Sequence, residues 1–160
     1  YEGAFRAGME QLKFEGVRES LPLFGGMLTE AVRQSGLLPQ LTAVTYVPMP
    51  PERERHRGYN QSKLLAQYLA GELGLPLREG VLARDGRAAR ITLAKESYRA
   101  GERKLPPGEH ILLIDDIITT GATLENCAAL LLAQGAESVT AAAVLRTPRP
   151  EGKKLEGNKG

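Results

Sequence analysis

Ile111-Leu112-Leu113-Ile114-Asp115-Asp116-Ile117-Ile118-Thr119-Thr120-Gly121-Ala122-Thr123-Leu124 is the most informative run in this chain. Residues 110–114 form a continuous apolar run of the kind found in strands buried on both faces. Two adjacent carboxylates follow where the backbone is expected to leave the sheet, and strand periodicity aims them to alternate sides. Thr119, Thr120 and Thr123 then supply hydroxyls, and Gly121 lacks the Cβ that would block close approach to the backbone. A helix is expected over residues 122–133, and the free N–H groups at its start, Ala122 among them, attract an anion. An isolated Asp-Asp pair reads equally well as two acidic residues exposed at a turn. The ordered series of buried strand, acid pair, Thr/Gly turn and helix is far more particular. Carboxylates beside an anion cradle imply a ligand carrying hydroxyls and phosphate together, which a sugar phosphate does. A Walker loop would need Gly-Lys-Ser/Thr and a dinucleotide site an early Gly-x-Gly-x-x-Gly, and neither surrounds this strand. A receiver domain carries its paired aspartates near the start of the chain, whereas here a single strand follows.

Working outward, residues 138–145 read as the last strand and residues 42–47, β-branched and stopped by Pro48, as the first. Between them, residues 62–73 carry Leu64, Leu65, Tyr68, Leu69 and Leu73 on one helical face, with Asn60 as N-cap and Gly74 as stop. Residues 81–83 suggest a further short strand. Strands alternating with helices imply an α/β fold, a parallel sheet flanked by helices, whose ligands sit at the carboxyl ends of the strands. Upstream, residues 4–14 and 21–34 have helical spacing, the second interrupted by Gly25 and Gly26. Residues 84–107 form a basic, weakly periodic excursion, and residues 151–160, Lys- and Gly-rich, are expected to be a mobile tail. The expectation is one domain over residues 1–150, with a helical cap or hood at 1–40 and the α/β core at 41–150.

A length of 160 residues and a hydrophobic content of 42% suit one such domain. Twenty-one basic against 19 acidic residues leave a net charge of +2, too balanced for whole-molecule attraction to nucleic acid, so any anion site is local. The lone Cys127 excludes an internal disulfide and a multi-cysteine metal site, and no run reaches membrane-spanning length, so a cytoplasmic location is expected. The opening Tyr1-Glu2-Gly3 carries no leader-like pattern.

The second notable run is Val47-Pro48-Met49-Pro50-Pro51-Glu52-Arg53-Glu54-Arg55-His56-Arg57-Gly58-Tyr59-Asn60-Gln61-Ser62, read as a basic loop stiffened by proline. Arg53, Arg55 and Arg57 can fork hydrogen bonds onto phosphate oxygens, and the helix start at Gln61 and Ser62 adds N–H groups. Alone, such a run is usually a solvated charged loop. Its place across a parallel sheet from the acid pair makes pyrophosphate a credible occupant. His56 has no motif partner and reads as a surface residue, and Cys127 as a packed small hydrophobe.

Together these segments resemble the ComF family of phosphoribosyltransferase-like proteins, GntX-type members included. The residues that carry the likeness are Tyr1-Glu2-Gly3, Lys13-Phe14-Glu15-Gly16, Arg57-Gly58-Tyr59-Asn60-Gln61-Ser62 and the run from Asp115 to Leu124. The last is similar to the phosphoribosyl pyrophosphate signature of type I phosphoribosyltransferases. The resemblance implies that fold, with Asp115 and Asp116 holding the ribose hydroxyls directly or through Mg2+, and Thr119, Thr120, Gly121, Ala122 and Thr123 wrapping the 5-phosphate. Arg57, with Arg53 and Arg55, would neutralise the departing pyrophosphate, and residues 84–104 would fold over as a lid. Many members begin with a four-cysteine zinc ribbon that this chain's single cysteine cannot supply. The middle loop also departs from the family near Arg90, Thr92, Leu93, Arg99 and Gly101.

The implied reaction is transfer of the phosphoribosyl group to an unknown acceptor with loss of pyrophosphate, through an oxocarbenium-like transition state that needs electrostatics and positioning more than a nucleophile. The resemblance also implies a role in competence and DNA uptake, with a helicase-like protein and single-stranded DNA as partners and a homo-oligomer allowed. Two other readings stand beside it: a non-catalytic adaptor that keeps the pocket, and a nucleobase salvage enzyme. Aromatics are 5% of the chain and Tyr98 stands alone in the basic excursion, which weakens direct single-strand stacking.

Overall fold

The computed structural model describes residues 17–84 and 98–146, with side chains from residue 19. The helix expected at residues 4–14, the tail at 151–160 and most of the basic excursion lie outside the described residues. Element order is α1 (Val17–Gln34), a 3-10 turn (Leu38–Gln40), β1 (Ala43–Tyr46), α2 (Pro51–Arg57), α3 (Gln61–Leu73), β2 (Leu82–Arg84), β3 (Tyr98–Ala100), β4 (His110–Ile118), α4 (Ala122–Ala133) and β5 (Ser138–Arg146).

The main sheet has the order β1-β4-β5 and is parallel throughout. β4 sits in the middle, and its side chains divide by the two-residue strand period. Leu112 and Ile114 pack with Val44, with Phe24, Leu28 and Val32 of α1, and with Leu65 and Leu69 of α3. Ile111 and Leu113 pack on the opposite face with Ala43 and with Leu124, Cys127 and Leu131 of α4. The uninterrupted apolar run is thus explained by helices covering both faces.

After α3 the chain runs parallel to β1 on its free side. The N–H of Val44 donates to the Pro76 carbonyl at 2.9 Å and that of Arg78 to the Val44 carbonyl at 2.7 Å, with Val44 and Leu77 bridged. One crossover therefore leaves β1 through α3 on one face, and the other joins β4 to β5 through α4 on the opposite face. The direction in which successive crossovers step across the sheet reverses between β1 and β4, which opens a crevice at their carboxyl ends.

Three details differ from expectation. Residues 81–83 do contribute a strand, at Leu82–Arg84, but it pairs antiparallel with β3 in a separate two-stranded sheet. Gly80, at φ 72°, turns the chain out of the main sheet, and Gly101 lies so close to the Gly80 carbonyl that no side chain fits there. β4 runs to Ile118, so the carboxylates sit within the paired strand rather than beyond it, with Asp115 opposite Ala143 and Ile117 opposite Leu145. α1 is continuous through Gly25 and Gly26, because a Cβ at Gly25 would lie 2.5 Å from Cδ1 of Tyr68 on α3. That glycine is a close-approach point between two helices and does not break α1.

Candidate functional site

A cavity of about 280 Å³ occupies the crevice. Val47, Pro48 and Met49 after β1 line it, together with Arg53 and Arg57 of α2 and Asn60, Gln61 and Ser62 at the start of α3. Arg84 and Tyr98 come from the two-stranded sheet, Asp115, Asp116 and Ile117 from β4, and Thr123 from α4.

The basic segment is helical where a loop was expected. Pro51 occupies the first turn, Glu52 and Glu54 lie near the positive end, Arg55, His56 and Arg57 near the negative end, and Gly58 closes it at φ 84°. These are ordinary start and stop signals, masked in the sequence by the run of prolines. The helical period decides which arginines serve the cavity: Arg53 and Arg57, four apart, share a face and both line it. Arg55 falls between them, is exposed and does not line the cavity, and His56 is likewise exposed outside it. Arg57 is steadied by an Nη1 hydrogen bond of 3.1 Å to Gln61 Oε1.

Asn60 does more than cap α3. Its Oδ1 accepts the N–H groups of Ser62 at 3.0 Å and Lys63 at 3.4 Å, while its amide donates to the Val47 carbonyl at 3.1 Å, locking the end of β1 to the start of α3. Ser62 is thereby positioned to donate its hydroxyl to Asp115 Oδ1 at 3.1 Å. The Asp116 N–H donates to the same oxygen at 2.8 Å, and the Ile117 N–H to Asp116 Oδ1 at 2.9 Å.

Asp115 is only 6% exposed. Burial, then the negative charge of Asp116, push its carboxyl from the usual 3.8 up to about 7, against the opposing pull of the Asp116 N–H and the Ser62 hydroxyl. Asp116 is half-buried and faces the same cavity. The pair thus combines a desolvated carboxyl that holds its proton near neutrality with a wetter one beside it.

In the Thr/Gly turn, Thr120 Oγ1 accepts the Ala122 N–H at 3.3 Å, and Thr119 and Thr120 are exposed. Gly121 sits at φ 88°, and a Cβ there would meet only Glu125 Oε1, at 3.9 Å. Backbone conformation, rather than crowding within the chain, requires the glycine. Of the five residues of this turn, Thr123 lines the cavity and Thr119, Thr120, Gly121 and Ala122 do not.

Sequence reading passed over Arg84 and Tyr98 as individual site residues. The Arg84 guanidinium lies 4.9 Å from the Tyr98 ring centroid, and the Thr123 side chain is close enough to the Tyr98 hydroxyl to ease its ionisation. Burial pushes the Tyr98 hydroxyl above its ordinary range. Cys127, fully buried beneath the site, is pushed up to about 12 by burial and by Asp115, consistent with a packing role.

Among the described residues no three His, Cys, Asp or Glu side chains converge on a metal position. Mg2+ fits what is present, because it commonly takes one or two protein carboxylates and completes its shell with ligand phosphate oxygens and water. Asp116 and Asp115 supply such oxygens.

The sequence matches the phosphoribosyl transferase domain over residues 58–159, more than half of the chain. The chain belongs to this family, in its ComF branch. It is 33% identical over 153 residues to the DNA utilization protein YhgH of Salmonella typhi, covering 87% of this chain and 66% of that protein. It is 31% identical over 150 residues to the competence protein ComFC of Bacillus subtilis, covering 92% of this chain and 62% of that protein. The chain therefore spans somewhat under two thirds of these relatives. Among solved structures, an adenine phosphoribosyltransferase superposes with a TM-score of 0.54 at 16% identity, over 78% of this chain and 70% of that one. This last likeness concerns the fold, that of type I phosphoribosyltransferases. No helix among the described residues is long and apolar enough to cross a membrane.

Proposed function

We propose that this chain binds phosphoribosyl pyrophosphate with Mg2+ in the crevice between β1 and β4, and transfers the phosphoribosyl group to an acceptor with release of pyrophosphate. One observation carries the reading: a carboxyl pair with one member buried, Thr123 at the end of the Thr/Gly turn and two arginines of one helix face line a single cavity at the topological switch point of a parallel sheet. In this reading Asp115 and Asp116 hold the ribose hydroxyls, the protonated Asp115 able to donate as well as accept. Residues 119–123 take the 5-phosphate on hydroxyls and on the N–H groups at the start of α4. Arg53 and Arg57 neutralise the leaving pyrophosphate, while Arg55 contributes only at longer range. Bound Mg2+ would supply charge neutralisation to the phosphates, with Asp116 its more accessible protein ligand.

The names of the relatives support a setting in competence and DNA utilisation; a cytoplasmic location and a helicase-like partner are part of the proposal. The names also keep a second reading alive, in which the pocket serves an adaptor that senses the sugar phosphate without turnover. Direct stacking of single-stranded DNA on Tyr98 is disfavoured, because that ring is 8% exposed and lies under Arg84.

The test is thermal unfolding with Mg2+ and phosphoribosyl pyrophosphate, against ribose 5-phosphate and pyrophosphate separately. Ligand at 100 times its dissociation constant stabilises by about 2.7 kcal/mol, a rise of roughly 5–10 °C for this size. The reading requires that rise for the intact ligand and its loss in the Asp115→Asn, Asp116→Asn double variant. No rise in the wild type refutes it. Pyrophosphate release across a panel of bases, amines and sugar acids then separates transferase from adaptor.

A further inference from the structure

The positive charge that the functional reading uses lies on one bank of the cavity, on α2. Arg84 is the cation of the other bank. It leaves β2 beside Tyr98 and influences the titration of both Tyr98 and Cys127, which places it on the α4 side of the sheet. Its surroundings do not explain it as a stabilising residue. Among the described residues no carboxylate pairs with Arg84, in contrast to Arg33 with Glu72, Lys63 with Glu79 and Arg78 with Glu109. Its Nε–H is buried and has no acceptor among the described residues. Among the described residues, then, Arg84 has neither an acceptor for its buried Nε–H nor a counter-ion, an arrangement that by itself weakens a fold and that an anionic ligand at the cavity wall would satisfy.

What holds Arg84 is aromatic. The ring of Tyr98, paired opposite it in the antiparallel register, lies under the guanidinium at 4.9 Å from the centroid, and the ring is fixed in turn by burial in the core beside α4. Stacking of this kind orients the planar guanidinium and leaves its donors unspent.

We infer that Arg84 is an anion-binding residue of the cavity, taking a phosphoryl group of the ligand, and that Tyr98 is its positioning residue. This deepens the proposed function and rests on it for the identity of the natural ligand, though the anion site can be probed independently.

The experiment is calorimetric titration of the full chain with Mg2+ and, in separate arms, phosphoribosyl pyrophosphate, inorganic pyrophosphate and inorganic phosphate, for wild type, Arg84→Met, Arg84→Lys, Tyr98→Leu and Tyr98→Phe. Arg84→Met should weaken every anion the wild type binds at least tenfold while its unfolding midpoint stays level or rises. Arg84→Lys should recover only part of the affinity, since it keeps the charge without the planar stack. Tyr98→Leu should lose affinity although Arg84 is intact, and Tyr98→Phe, which keeps the ring, should stay within about threefold of wild type. Unchanged anion affinity in Arg84→Met overturns the inference, as does an unfolding midpoint that drops with affinity preserved. A wild type that binds pyrophosphate or phosphate but not phosphoribosyl pyrophosphate refutes the functional reading and leaves Arg84 to be judged on the other two arms. A wild type silent toward all three overturns both.

Discussion

Replacing Asp115 by Asn should make the protein more stable at alkaline pH and change little at acid pH. The carboxyl is nearly inaccessible and sits beside Asp116, and its pKa is about 7 in the folded chain against 3.8 as an ordinary aspartate. Because the folded value is the higher one, the neutral carboxyl favours the fold. That stabilisation is fully present below the unfolded pKa and is lost as pH rises through the folded one. At about 1.4 kcal/mol per unit, the whole loss is on the order of 4 kcal/mol, more than half of it between pH 5 and pH 8. Asparagine keeps the shape and the oxygen that accepts from Ser62 and from the Asp116 N–H, and it carries no charge to desolvate.

Urea unfolding of both proteins at the two pH values, with chelator present to keep divalent ions out, gives the quantity directly. Every titrating group outside the acid pair is common to both, so the difference between variant and wild type at pH 8, less the same difference at pH 5, isolates what Asp115 contributes to the coupled pair. The expected value is roughly 2–3 kcal/mol in favour of the variant, equivalent to an unfolding midpoint some 5–10 °C higher at pH 8 relative to pH 5. A double difference near zero, or a variant destabilised equally at both values, would mean that the carboxyl is solvated and that the account of the acid pair is wrong. The gain should coincide with lost ligand binding, as when a site is kept at the expense of the fold.

Other outcomes follow from single contacts. Gly25→Ala should destabilise by roughly 1–3 kcal/mol through collision with Tyr68, whereas Gly26→Ala, which meets nothing within 4 Å, should stabilise by about 0.5–1 kcal/mol; a pair of thermal melts decides. Asn60→Ala should cost about 2 kcal/mol and weaken ligand binding too, since the cap also ties α3 to β1 and sets Ser62; denaturation and titration of one preparation test both halves. Cys127, buried with its thiol pushed up to about 12, should resist aromatic disulfide reagents at pH 8 in the folded protein and react at once in denaturant.

Where local signals coincide with the final geometry, the sequence was transparent. The stop and start of α3 at Gly74 and Asn60, the limits of α4 and the double-sided burial of β4 all depend on residues adjacent in the chain. The acid pair and the turn were legible for the same reason. What escaped depends on pairing between distant residues. Nothing near Arg84 shows that it faces Tyr98 across an antiparallel register, and nothing in the Leu75 to Arg78 stretch marks it as the neighbour of β1. α2 was missed differently: its capping signals were present, but three prolines in four residues read more naturally as a rigid loop, and that obscured the separation of Arg55 from Arg53 and Arg57.

The hydrogen bond from Ser62 to Asp115 joins residues 53 positions apart, and the two walls it links come from stretches distant in the chain. Contacts of such separation close late, because a long loop must be ordered before they return anything. A chain emerging from synthesis could complete α3 and its cap while the cavity did not yet exist, and would acquire it only once β4 had threaded between β1 and β5. Ligand cannot therefore template the early fold. It can recognise only a finished molecule, so occupancy of the crevice reports that the central strand has been inserted in its proper register.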